Sequence, residues 1–420
     1  MAPRSTLVKN AFYLMLSALV VAGAGFLFWL VVTRRYDTAA VGVATTLLSV
    51  SGLLSLLGLA GFDTTFVRFL PRSQRQNDYI NSGLIIVALM SAVLAAGVAV
   101  VLPRVAPQLG VVSGGWALIG FVFFTAITSL NVLTNAVFLA FKQARSIFII
   151  NALFSAVKVV APVLAGRGDA VTIFVLAGLA QLIGLALSLV WMRRRCGWRF
   201  WPRLDLEALR LVRRFSLSVY ASSILNLLPP TLLPLIIVRQ MSSASAAYYY
   251  MAFTIAGVLY TIAYSSMQSV FAEGSHDEAA IRQHVARAAR LIAVLLLPAA
   301  LLIALISHDL LTLFGHAYAQ GAATLLQLFA VGALPVAVYS ALGAIFKITK
   351  NLRGVVTMNV VYAALILGLS YWLVPQFGLV AVGWSWLIGN TAACGVGGLF
   401  LVKHRYKKEF RYGTTSPTRR

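Results

Sequence analysis

GGWALIGFVFFTAITSLNVLTNAVFLAFKQARSIFIINALFSAVKVVAPVLA, residues 114–165, reads as two apolar runs joined by a short turn that carries Lys142 and Arg145. A helix needs about 20 apolar residues to cross the hydrocarbon core of a bilayer, and the runs 114–140 and 146–165 each supply that length. The turn between them decides orientation, because Lys and Arg in short loops mark the cytoplasmic side. Working outward, the same unit recurs. Runs 8–32, 39–60, 79–102 and 171–191 complete a first set of six, and 216–238, 246–270, 289–306, 322–346, 354–374 and 378–402 form a second. About 28 of the 34 Lys and Arg residues fall in the termini and even-numbered loops and about five in the odd-numbered loops, which predicts both termini in the cytoplasm. The remaining one, Lys158, lies inside an apolar run.

Composition agrees with lipid as the solvent. Apolar residues make up 60% of the chain and charged residues 11%, with a mean hydropathy of +0.88, whereas soluble domains carry about 25% charged residues. A net charge of +23 would point to nucleic acid in a soluble protein. Here loop cations hold topology and meet anionic lipid headgroups, and no basic, aromatic module of soluble length is present, so nucleic acid is not an expected partner. The run from Val8 to Val32 lacks a small-residue cleavage site and is expected to stay as the first helix. Cys196 and Cys394 fall in different environments and are not expected to pair, the five histidines form no motif, and neither a metal nor any other cofactor is expected.

The expected fold is an all-α polytopic membrane protein of about twelve transmembrane helices. Residues 1–192 form an N-terminal six-helix bundle, 193–215 a cytoplasmic linker with a surface helix, 216–402 a second six-helix bundle and 403–420 a basic tail. In the linker, Trp198, Phe200 and Trp201 suit the headgroup level. Two matches of equal spacing mark the bundles as repeats. Leu7-Val8-Lys9 leading to Arg35 is matched by Leu211-Val212-Arg213 leading to Arg239, and Lys142-x-x-Arg145 followed by Asn151 by Lys350-x-x-Arg353 followed by Asn359. Even helix numbers give both halves one orientation, hence a pseudo-twofold along the membrane normal with the substrate path at the repeat interface.

One set of residues runs from Arg35-Tyr36-Asp37 through Gly42 to Gly61-Phe62-Asp63 and Val67-Arg68-Phe69-Leu70-Pro71. Another is Leu310-Leu311-Thr312-Leu313-Phe314-Gly315-His316-Ala317-Tyr318, followed by Ala322-Ala323, Leu325-Leu326, Lys347 and Lys350. With the two-by-six layout, these resemble the polysaccharide-transport branch of the multidrug, oligosaccharidyl-lipid and polysaccharide flippase superfamily over nearly the whole chain. The resemblance implies a non-enzymatic, alternating-access flippase in a bacterial inner membrane. Its implied cargo is a polyprenyl-diphosphate-linked oligosaccharide, and its implied partners are membrane lipids and a polysaccharide polymerase or co-polymerase.

A diphosphate headgroup needs cations in a low-dielectric path. Lys158 is well inside its helix, where a charge costs roughly 2.5 to 3.5 kcal/mol on insertion scales, and Asn151, Ser155 and Lys158 share one helical face. That face is expected to line protein or a wet cavity, with snorkelling to the headgroups as the alternative. Arg34, Arg35 and Arg239 break the charge rule at the outer ends of the first and seventh helices, so they are candidate receivers of the diphosphate or outer-leaflet anchors. Arg68 is a candidate at the cavity mouth. Tyr260 and Tyr264, one turn apart, and Asn151 are candidate glycan contacts, whereas Asn131 and Asn135 read as helix–helix glue. Pro229, Pro230 and Pro234 remove backbone donors from the middle of one helix and mark a candidate hinge.

The main rival is a multidrug or cation exporter of the same superfamily, against which stands the lack of a carboxylate within any apolar run. A rival of another class is a membrane polysaccharide polymerase or glycosyltransferase, which the short outer loops with unclustered acids do not favour. A phosphate-binding G-x-x-x-x-G-K-[ST] loop is missing as well.

Overall fold

The computed structural model describes residues 4–201, 217–274, 281–349 and 351–412. Among them the chain is helical, with no strand. The helices are α1 (Arg4–Arg35), α2 (Thr38–Leu59), α3 (Phe62–Phe69), α4 (Gln76–Val105), α5 (Gly115–Ala140), α6 (Ala144–Leu164) and α7 (Ala170–Arg195). They continue as α8 (Leu217–Gln240), α9 (Ser243–Gly274), α10 (Ile281–Leu305), α11 (Ser307–Thr312), α12 (His316–Ile348), α13 (Leu352–Phe377) and α14 (Leu379–Tyr412). Ten of the described helices are long and apolar enough to cross a membrane, and shorter apolar stretches, Ile224–Gln240 and Ile292–Leu305, lie in α8 and α10. Together they account for the twelve runs read from sequence, and the protein is a multi-pass membrane protein.

The chain forms two compact units. The first holds Met1–Met251 with Leu313–His316, and the second holds Ala252–Thr312 with Ala317–Arg420. In lipid there is little hydrophobic gain from bringing helices together, so small residues and hydroxyls carry the packing. The first unit shows this where α2, α4 and α5 meet. Ser51 Oγ and Thr125 Oγ1 lie 2.9 Å apart, Ser55 Oγ donates to the Thr125 carbonyl at 3.0 Å, and Ser91 Oγ donates to Ser129 Oγ at 2.6 Å. All five residues are buried. In the second unit the core is aromatic: Tyr260 stacks on Trp386 and Tyr339 on Tyr362, with Phe253 and Phe329 edge-on to Trp386.

Sequence periodicity gives no sign of α3. Ala60 and Gly61 both take left-handed conformations (φ 47° and 84°), which end α2 and restart the chain as an amphipathic eight-residue helix. Its Phe62 and Phe66 pack edge to face against each other and into the core.

Main-chain turn geometry supports the repeat and corrects one of its registers. At the α5–α6 turn, Phe141 N donates to Val137 O and Gln143 N to Phe138 O. At the α12–α13 turn, Thr349 N donates to Ile345 O and Asn351 N to Phe346 O, at the same spacing. Lys142 occupies the left-handed position of the first turn (φ 57°); its counterpart Lys350 lies outside the described residues. At the α1–α2 turn, Asp37 accepts from Val41 N through its carbonyl and from Ala39 N through its side chain. At the α8–α9 turn, Ser242 accepts from Ala246 N through its carbonyl, at the same spacing, and from Ser245 N, three residues on where Asp37 reaches two, through its side chain. Aligning these caps pairs Arg239 with Arg34 and Gln240 with Arg35, one residue away from the Arg35–Arg239 match that basic residues alone give.

Residues 202–215, with the expected surface helix, lie outside the described residues. The segment before them does not lie loosely at the headgroup level. Trp198 is buried, its indole Nε1 donates to Asn81 Oδ1 at 2.9 Å, Asn81 Nδ2 donates to the Arg199 carbonyl at 3.0 Å, and Arg199 N donates to Asn77 Oδ1 at 2.8 Å. This clasp ties the end of α7 to the first turns of α4, and Phe200 and Trp201 remain exposed beyond it. Burial in the same segment pushes the Cys196 thiol up to about 11, so it stays protonated. Asn81→Leu leaves a buried indole N–H without an acceptor, which costs about 1–3 kcal/mol. The expected result is a lower Tm and faster tryptic cleavage at Arg199. Wild-type values for both would show that the clasp contributes nothing.

Candidate functional site

Arg35, Asn151 and Lys158 meet where α6 packs against α1. Asn151, Ser155 and Lys158 recur at helical spacing, so one face of α6 carries all three. Asn151 Nδ2 donates to Ser17 Oγ of α1 at 2.8 Å, and Ser17 is buried. Lys158 Nζ sits 5.2 Å from the ring centre of Phe28, an α1 residue with no exposed surface. Between them, Ser155 is 2% exposed and its hydroxyl has no hydrogen-bond partner among the described residues. The face therefore points into the protein, against α1.

The C-terminal end of α6 is held by α1 as well. Pro162 has no N–H to offer the Lys158 carbonyl, and the last carbonyls of any helix lack intrahelical donors. Arg35 Nη1 supplies two of them, bonding Pro162 O at 3.2 Å and Val163 O at 2.6 Å, while Tyr36 Oη donates to Gly166 O at 3.1 Å. A guanidinium is favoured there because the helix C-terminus carries partial negative charge. Burial raises the Tyr36 phenol above its ordinary range, with the nearby Arg35 charge opposing. Arg34 Nε donates to Leu313 O at 2.9 Å, next to an edge-to-face pair of Phe26 and Phe314. Asp169 caps α7 by accepting from Thr172 N and Thr172 Oγ1, and those bonds hold its carboxyl below the usual range.

The other candidates belong to other helices. Arg68 is exposed in the last turn of α3, its guanidinium 5.4 Å from the ring centre of Phe69. Arg239 is exposed in the last turn of α8. Pro229, Pro230 and Pro234 lie inside α8, which continues through them. Thr231 Oγ1 donates to Leu227 O and Leu228 O, while the carbonyls to which the prolines cannot donate are those of Leu225, Asn226 and Pro230. Tyr260 is 4% exposed, its hydroxyl donates to Phe329 O at 3.0 Å and its ring is stacked on Trp386. Tyr264, one turn on, is half-buried. Asn131 behaves as glue, its Nδ2 donating to both oxygens of Gln181. Among the described residues no group of three His, Cys, Asp or Glu is placed to hold a metal.

Sequence reading misses Ser17, Phe28 and Tyr36 as partners, because each is joined to α6 or to the loop after it by a contact between helices distant in sequence. The one local signal is Pro162, four residues beyond Lys158, which announces an irregular helix end.

A family model for polysaccharide biosynthesis proteins matches residues 31–323. No curated protein sequence matches. Among solved structures, the chain resembles an inward-facing multidrug resistance MATE family transporter of the MOP superfamily (TM-score 0.71, 16% identity, 96% of each chain covered). It also resembles the lipid II flippase MurJ in an inward closed conformation (TM-score 0.70, 12% identity, 94% of this chain and 87% of that one). A third is a MOP superfamily transporter from Pyrococcus furiosus whose binding pocket has reversed polarity (TM-score 0.63, 15% identity, 94% of each chain). At these identities the likeness establishes a shared fold.

Proposed function

This chain belongs to the family of polysaccharide biosynthesis proteins, and we propose that it is a flippase that moves a polyprenyl-diphosphate-linked oligosaccharide across a bacterial inner membrane. The observation that carries this reading is the family match over a chain with the fold of MOP transporters. One lysine inside an apolar run, with no carboxylate in any such run, supports it, since an anionic headgroup needs a cation where dielectric screening is weak. In this reading both termini are cytoplasmic, and residues 1–192 and 216–402 act as two bundles that alternate access, with 193–215 as their connection and the prolines of α8 as a hinge. Arg34, Arg35, Arg68, Lys158 and Arg239 form the cationic path, with Asn151, Tyr260 and Tyr264 on the glycan side. A polymerase or co-polymerase takes the product. The fold alone is equally that of multidrug exporters, and the internal lysine is what favours an anionic cargo.

The test is reconstitution of the purified chain with a fluorescent polyprenyl-diphosphate oligosaccharide whose leaflet is read by enzyme accessibility. Protein-dependent movement is expected, and its absence in vesicles with correctly inserted protein would overturn the reading. Lys158→Gln and Arg239→Gln should each slow movement roughly tenfold or more, the weight of one charge-assisted contact, at unchanged insertion. Wild-type rates in both variants would reduce these side chains to anchors.

A further inference from the structure

We propose that a hollow between α5 and α7 of the first unit holds part of an acyl chain of an anionic phospholipid, whose headgroup meets Arg104 and Arg167. The hollow has a volume of about 130 Å³ and is apolar. Leu47, Val112 and Phe174 form its buried floor, Val175 is a half-buried wall, and Trp116, 88% exposed, stands at its rim. An apolar cavity of about 150 Å³ stays dry and takes up a benzene-sized guest, so there is room here for several methylenes. In lipid the gain from filling it is dispersion contact, which the walls of an empty void forgo.

The second repeat fills the same place with its own side chains. At the spacing that pairs Lys142 with Lys350, Phe124 and Gly178 correspond to Gly332 and Trp386. In each repeat the ring of the large residue lies against the glycine, so the register holds through these helices although large and small partners have exchanged. At that spacing Ala117 and Gly120 correspond to Leu325 and Leu328, and Val175 to Gly383. Both leucines lie against Gly383, whereas a methyl group added at Gly120 would meet nothing within 4 Å. The first repeat therefore lacks two leucine side chains and gains only a valine.

Charge follows the same asymmetry. Arg104, in the last turn of α4, and Arg167, in the α6–α7 loop, are exposed cations at the end of the bundle where α5 and α7 begin. A methyl group on Gly110 would come within 3.9 Å of Pro103, so the short helix Pro107–Val112 folds back beside Arg104 before Val112 reaches the floor. Gly166 O accepts from Tyr36 Oη, which anchors the loop one residue before Arg167. Asp169, the one acid of these two loops, is engaged in capping Thr172. The second repeat has no Lys or Arg between Arg290 and Lys347, or between Arg353 and Lys403. Where the hollow is filled, the cations are missing too. A tryptophan at the rim suits the boundary between headgroups and chains, on the side opposite the Lys142–Arg145 turn, which is the outer leaflet in the orientation proposed above.

The test is photolabelling of the full chain in detergent with a phosphatidylglycerol that carries a diazirine in its acyl chain, with adducts mapped by peptide mass spectrometry. Adducts are expected on Trp116, Phe174 and Val175, and background labelling at Leu325 and Leu328. Unlabelled phosphatidylglycerol should compete about fivefold better per cation than phosphatidylcholine of the same chains, and the double variant Arg104→Gln, Arg167→Gln should lose that preference while keeping the adducts. Gly120→Leu, which installs the residue of the second repeat, should bring labelling down to background while Tm holds or rises, because it fills the void from within. Ala117→Leu should give the same loss from the neighbouring turn. Wild-type labelling in both folded leucine variants, equal labelling of the two repeats, or equal competition by the two lipids would each overturn the proposal. Stronger competition by a polyprenyl phosphate than by phosphatidylglycerol would overturn it as well and assign the hollow to the tail of the cargo. None of these results depends on transport, so the flippase reading stands or falls separately.

Discussion

Gly42→Ala is expected to destabilise the protein by about 3 kcal/mol or more, while Gly52→Ala on the same helix is expected to be neutral or to stabilise it by about 0.5–1 kcal/mol. The two glycines stand on one exposed-to-buried helix, α2, and differ in what a methyl group would meet. At Gly42 it would overlap the backbone carbonyl of Ser243, in the first turn of α9, and press on Ala247 N. Neither is the movable end of a side chain, so the helices must part. At Gly52 nothing lies within reach, and alanine there only removes backbone freedom from the unfolded chain. Gly58→Ala belongs with Gly42, since its methyl would strike Ser91 and break the bond to Ser129. Tm in detergent for the three variants checks the order. Equal Tm values for Gly42→Ala and Gly52→Ala would mean that the close approach of α2 to α9 does not carry the stability of the first unit.

The membrane spans were legible because lipid imposes one rule, a sustained apolar run, that overrides finer propensities. What sequence could not supply were contacts between helices far apart along the chain. Trp198 in a basic linker has the composition of a headgroup anchor, and only the position of Asn81 turns it into a buried clasp. Arg34 and Arg35 stand out as charges on the wrong side, yet the carbonyls they bond belong to Leu313 and to the end of α6. The Asn151–Ser155–Lys158 face was visible from helical spacing, but not that α1 would cover it with Phe28. The repeat was visible as well, and its first register slipped by one because basic residues were aligned where the helix caps Asp37 and Ser242 are the structural equivalents. α3 escaped because eight amphipathic residues that follow two consecutive left-handed positions look like a loop.

If the chain moves a diphosphate-linked glycan outward, as proposed, that movement is expected to respond steeply to membrane potential. With the donor side negative, each negative charge that crosses the full field gains about 2.3 kcal/mol per 100 mV, close to a fiftyfold bias in the distribution between leaflets. A diphosphate diester carries two such charges. The chain offers cations to meet them, while carboxylates are missing from the interior of its apolar runs, so a proton- or sodium-binding acid is not at hand to supply the driving force. Protein charge that moves with the cargo would reduce the dependence, and Lys158 is the residue to watch. If its ammonium crosses part of the field with the diphosphate, Lys158→Gln should make the remaining movement more voltage-dependent, not less. In liposomes with an imposed potassium-diffusion potential and no proton or sodium gradient, transfer should accelerate as the donor side becomes negative and slow when the polarity is reversed. Rates that ignore potential and follow a proton or sodium gradient would establish ion coupling through groups other than buried acids.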